Sequence, residues 1–148
     1  MWLVITMLTR MQEIICQTQG NIFHCANELG YDMDIFVPKY MNSTFCKRQM
    51  DSVYSYFQMA DAEDCLDYIT KEIDVPKTKR IKYAPNPMDW IGYTYRQLAF
   101  VLEKTSKEIY EKVPFIDMVR SYGLHVMDED VAAEIIVENN FPEAIMHG

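Results

Sequence analysis

The residues of this chain whose types could do chemistry are three histidines, four cysteines, two clusters of acids and one arginine set among aromatics. His24 and Cys25 are neighbours, so on a helix they point about 100° apart and share no metal. Cys16, Cys25, Cys46 and Cys65 are scattered, with no C-x-x-C pair among them. That usage reads as free, partly buried thiols in a reducing compartment, and no metal or cofactor is expected. His125 lies in "SYGLHVMDED", a turn between two helices, where a histidine commonly satisfies backbone groups at helix ends. To act as a base it needs placed partners, and Arg96 with an acid such as Asp128 would have to converge on it. His147 lies in the tail. The acids of "DAEDCLD" (61–67) and "DED" (128–130) fall where helices should start, and carboxylates there meet the positive end of the helix dipole. No G-x-S-x-G, Walker or G-x-G-x-x-G segment occurs.

The elements that must position these groups are helical. Hydrophobic residues make up 49% of the chain and charged residues 24%, with only 5 Gly and 6 Pro, too few for the corners of a sandwich or barrel. The expected fold is all-α, one domain over 1–148, a compact bundle of about six to eight short and medium helices. Met11, Ile15, Thr18, Ile22, Cys25 and Leu29 form one seam of a first helix that Gly30 ends, with Gly20 allowing a close crossing. Asp32 caps "MDIFVPKYM", with Pro38 in a first turn or a kink. Asn42 or Ser43 starts a helix with Phe45, Met50, Val53 and Phe57 inward, and Asp61 opens another with Leu66, Ile69 and Ile73 buried. The stretch 74–87, "DVPKTKRIKYAPNP", carries three prolines and four basic residues and reads as a connection between two helical halves. Asn86 then caps a helix with Pro87 at its first position, Thr105 and Glu108 form a capping box, Pro114 opens a piece that Gly123 stops, and Asp128 to Asp130 open a last helix with Val131, Ile135 and Ile136 inward.

The helix over 87–103 is apolar on nearly every side. Met88, Ile91, Tyr95, Leu98 and Leu102 form one face, and Trp90, Thr94, Gln97 and Val101 a second. Such a helix is either central to its fold or covered by a partner. For the second case the contact residues are Trp90, Tyr93, Arg96, Gln97 and Phe100, joined by Lys79, Arg80 and Lys82 of the connection; Arg96 stacks on a ring or pairs with a buried carboxylate. A formal net charge of −8 disfavours nucleic acid and suits docking onto a basic protein. Two alternatives remain: a small enzyme with its pocket around Arg96 and His125, and a nucleic-acid accessory protein using Lys77 to Lys82. The opening "MWLVIT" lacks a basic region, a cleavage site and the length of a span, so neither leader nor anchor is expected and the cytoplasm is the expected compartment. Residues 1–10 read as a frayed or non-native start, with Met7 or Met11 as alternative first residues.

"FVPKYMNSTFCKRQMDSVYSYFQMAD" and "WIGYTYRQLAFVLEKTSKEIYEKVPFIDMVRSYGLHVMDEDVA" carry a resemblance over roughly 35–137. Its keys are Trp90-Ile91-Gly92-Tyr93, Tyr95-Arg96, Ser106-Lys107-Glu108-Ile109 and Gly123-Leu124-His125. The chain resembles an uncharacterised bacterial family of small helical proteins encoded beside predicted ADP-ribosyltransferase-like toxins. The resemblance implies an antitoxin or accessory protein that binds a cognate toxin and covers its NAD or target site. It assigns no role to any residue. A homodimer through the Met11-to-Leu29 seam is the other expected association.

Overall fold

The Thr9 hydroxyl accepts from the Gln12 N–H while the Gln12 side chain accepts from the Thr9 N–H, a reciprocal cap that starts α1 (Arg10–Glu28). The computed structural model describes residues 8–144, so the expected frayed start fails at Thr9 and Arg10, and residues 1–7 lie outside what is described. Ile15, Thr18 and Ile22 are buried as the seam predicts, whereas Met11 and Leu29 at its ends are 52% and 47% exposed. Ile15 and Ile22 pack into this chain, while Thr18 and Cys25 border an open depression toward Met59–Glu63. Gly30 ends the helix with φ 88°, which its missing side chain permits. Its carbonyl accepts from the Thr78 N–H at 2.7 Å, and the Asp32 N–H reaches the Pro76 carbonyl at 2.9 Å. The Pro/Lys-rich connection is therefore an ordered loop tied to the end of α1.

α2 (Met33–Met41) starts at Asp32 as expected, and Pro38 lies in its second turn, one turn before its end. No regular helix follows. The chain widens into a π-helical turn, Cys46–Met50, closed by the Asp51 N–H on the Cys46 carbonyl at 2.9 Å. It then leaves as an irregular loop, so Val53, expected in the core, is 83% exposed. The physical reason is Asp51, whose carboxylate is drawn inward by partners described below. α3 (Ala62–Ile69) follows with Leu66 and Ile69 buried.

α4 (Pro85–Leu102) begins two residues earlier than expected: Ala84 is its cap and Pro85 its first residue, while Asn86 caps nothing. The lead-in is held by Tyr83, whose hydroxyl donates to Asp34 at 2.6 Å and whose carbonyl accepts from Asn27 at 2.9 Å. α5 (Ser106–Lys112) has the expected Thr105–Glu108 box. α6 (Phe115–Arg120) is not stopped by Gly123; it tightens into a 3-10 turn over Ser121–Val126. α7 (Glu129–Asn140) buries Ala132, Ala133, Ile136 and Val137, leaving Val131 43% exposed. The described residues form seven α-helices with no strand, and none is long and apolar enough to cross a membrane.

α1 and α4 run antiparallel through the centre: Gln19 reaches Gly92 and Arg96, and Asn27 reaches Tyr83. The pair is close because both helices present a glycine at the crossing. A Cβ on Gly92 would stand 2.6 Å from the Gln19 carbonyl oxygen and 2.9 Å from the Gly20 Cα; one on Gly20 would stand 2.5 Å from Asp89 Oδ1. Backbone cannot yield as a side-chain tip can. Gly92→Ala should therefore cost about 3 kcal/mol in urea unfolding. Gly123→Ala, with nothing within 4 Å, should be neutral within about 0.5 kcal/mol.

Candidate functional site

Arg96 is 1% exposed, and its guanidinium is the hub of the interior. Nε donates to Gln19 Oε1 at 3.2 Å, Nη1 to Asp51 Oδ1 at 2.7 Å, and Nη2 to Ser106 Oγ at 2.6 Å, Gln19 Oε1 at 3.1 Å and Cys46 Sγ at 3.4 Å. Asp51 also accepts from the Ser106 hydroxyl at 2.7 Å, and Gln19 accepts from the Tyr40 hydroxyl at 2.9 Å while donating to the Gly92 carbonyl. The Phe100 ring lies 5.9 Å from the guanidinium carbon, so Arg96 both pairs with a carboxylate and faces a ring. Burial works against its charge, yet Cys46, Asp51 and Tyr40 around it raise its pKa above the ordinary value.

That placement corrects two of the expected contact residues. Arg96 and Gln97 are each 1% exposed, and Gln97 donates to Asp130 at 3.3 Å, so neither is available to a docking partner. It also dissolves the catalytic grouping. His125 is exposed, stacked on Tyr122 at 4.1 Å with Nδ1 2.6 Å from the Tyr122 carbonyl oxygen, and lines a depression with Asp128 that does not include Arg96. The thiols are poor nucleophiles: burial pushes Cys16 and Cys65 up to about 12 and raises Cys46 as well. Lys79, Arg80 and Lys82 are exposed on the connecting loop, where Lys82 pairs with Asp34 at 3.0 Å. They line none of the depressions that Trp90, Tyr93 and Phe100 border.

Trp90, Tyr93 and Phe100 are half-buried, on two different edges of α4. Phe100 shares a depression of about 470 Å³ with Val53 and the Asp51 loop. Beyond it the chain exposes Val53, Tyr54 and Tyr56 at 83%, 85% and 72%, and Met59 and Tyr68 at 48% each. Two of these are joined: Tyr56 packs on Phe57 at 5.3 Å and Phe57 on Tyr68 at 4.8 Å. Sequence reasoning missed this surface because Val53, Phe57 and Met50 fit a helical core seam. Trp90 and Tyr93 border the opposite edge, where Trp90 packs edge-on to Tyr122 at 5.7 Å and the Tyr93 hydroxyl donates to Glu129 at 2.7 Å. Asp89 lies beside them on the outer side of the α1–α4 crossing, and burial raises its pKa while His24 opposes the rise.

Two outcomes follow. Arg96→Met leaves a nearly buried Asp51 charge unmatched and should cost about 3–5 kcal/mol in urea unfolding. Arg96→Lys should recover less than about half of that, since an ammonium cannot serve the same fork of acceptors. Asp89 has a folded pKa above its unfolded one, so its ionisation opposes folding. Asp89→Asn should raise the stability at pH 7 by under about 1 kcal/mol, given its partial exposure, as read in urea unfolding. The gain should vanish below the ordinary carboxyl value of 3.8, where Asp89 is protonated folded and unfolded alike. No family model matches the chain, and no curated protein or solved structure does, so the use of these surfaces is read from their own chemistry.

Proposed function

We propose that this chain is a non-enzymatic protein-binding module acting in the cytoplasm, an antitoxin-like or accessory protein that binds and masks a neighbouring toxin. The observation that supports protein binding is the exposure of Val53, Tyr54, Tyr56, Met59 and Tyr68 on one irregular loop and the helix after it, with Tyr56 and Tyr68 joined through Phe57. Single exposed side chains of this kind are ordinary, but several large ones close in sequence and led by tyrosines are what interfaces use. The toxin as partner follows from the family resemblance alone.

The test is co-expression of the tagged chain with each flanking gene, followed by capture and size-exclusion chromatography. A neighbour should co-purify and its toxicity should be relieved. Tyr54→Ala with Tyr56→Ala should leave the fold unchanged within about 0.5 kcal/mol, because both rings are already in solvent. The same pair should weaken the complex at least about tenfold. Absence of any co-purifying neighbour overturns the antitoxin reading, and a complex indifferent to the pair moves the contact elsewhere.

A further inference from the structure

Three depressions adjoin one another on the outer side of the α1–α4 pair. The one holding Trp90, Tyr93, His125, Met127 and Val131 shares Trp90, Tyr93 and Glu129 with a middle one. The middle one shares Gln17 and Asn21 with a third that ends at Met59 and Glu63. Together they make one trench, with Trp90 and Tyr93 along its first two parts, running along α1 from Glu13 to Cys25, about 18 Å of helix.

Its charges are of one sign. Asp89 and Glu129 lie at the centre, Glu13 and Asp128 at one end, Asp61 and Glu63 at the other. None of the chain's 14 Lys and Arg residues lines any of the three. The acids at helix starts are accounted for by dipole compensation and carry nothing alone. Asp89 is different: it is in the second turn of α4, half-buried and without a hydrogen-bond donor among the described residues, and its ionisation opposes folding. An unmatched carboxylate beside Trp90 and Tyr93 suits a guest that brings cationic N–H donors and an apolar stem.

We propose that this trench binds an extended segment of a partner protein, about five or six residues long at about 3.3 Å per residue, carrying two or more Lys or Arg side chains. The inference rests on the protein-binding reading and supplies the chemistry of the partner. The occupant's cations lie against Asp89 and Glu129, and its stems lie on Trp90 and Tyr93.

The probe is a fluorescein-labelled hexa-arginine peptide, with hexa-glutamate of equal length as control, titrated into the full chain at about 50 mM salt and followed by anisotropy. Hexa-arginine should bind and hexa-glutamate should not. Asp89→Asn with Glu129→Gln should weaken binding at least about tenfold, while Glu111→Gln with Glu138→Gln, the same change in charge outside the trench, should alter it less than about twofold. Circular dichroism should show both pairs folded. No binding by the wild type, or equal loss in the two pairs, overturns the proposal. Self-association of the wild type abolished by the trench pair would seat the Lys77–Lys82 loop of a second copy there and overturn it too. The two readings fail separately. A captured neighbour that ignores the trench pair removes this inference and keeps the module. Trench-dependent peptide binding without any captured neighbour does the reverse.

Discussion

A guanidinium taken out of water is tolerable only when its charge is matched and its N–H groups are used, because the desolvation cost otherwise exceeds anything local packing returns. Arg96 meets that condition by drawing on α1 through Gln19, on the π-helical turn through Cys46, on the loop after it through Asp51, and on α5 through Ser106. Tyr40 of α2 joins through Gln19. Each partner comes from a different segment, so forming the cluster requires most of the chain to be in place together. That interdependence ties the helices into one unit, and it explains local irregularities that propensity does not. The widened turn before Asp51 is one of them: a regular helix there would carry the carboxylate away from Arg96.

The second constraint is steric. Two glycines at one crossing let α1 and α4 approach until backbone touches backbone. That closeness puts Gln19 within reach of both Gly92 and Arg96. The glycine contact and the polar hub are therefore one arrangement seen from two sides, because a wider spacing would leave the Gln19 amide short of its partners.

Much of this was legible in the residues. The all-α class, the boundaries of α2, the caps at Asp32 and Thr105, the close approach at Gly20 and the pairing of Arg96 with a carboxylate all follow from local chemistry. What escaped depended on long-range partners. Nothing near Asp51 shows that Arg96, 45 residues away, will claim it. Without that knowledge Val53 fits a core seam. The same limit misplaced Arg96 and Gln97 as surface contacts: an aromatic-rich helix looks alike whether its polar groups face a partner or a buried acid.

The loop that carries Val53, Tyr54 and Tyr56 is irregular yet firmly moored. Asp51 is bound at its start, and Gln58 at its end is 2% exposed, donating to the Ser52 carbonyl at 2.8 Å while its side chain accepts from the Ser55 N–H at 3.1 Å. Ser55 also reaches back to Gln49. A loop held this way has little conformational entropy left to lose when something settles on it. The tyrosines it presents have few rotatable bonds of their own. Contact area that is already rigid in the free protein converts to affinity more fully than the same area on a floppy segment. The tether that fixes the core thus also sets how efficiently the surface above it can bind.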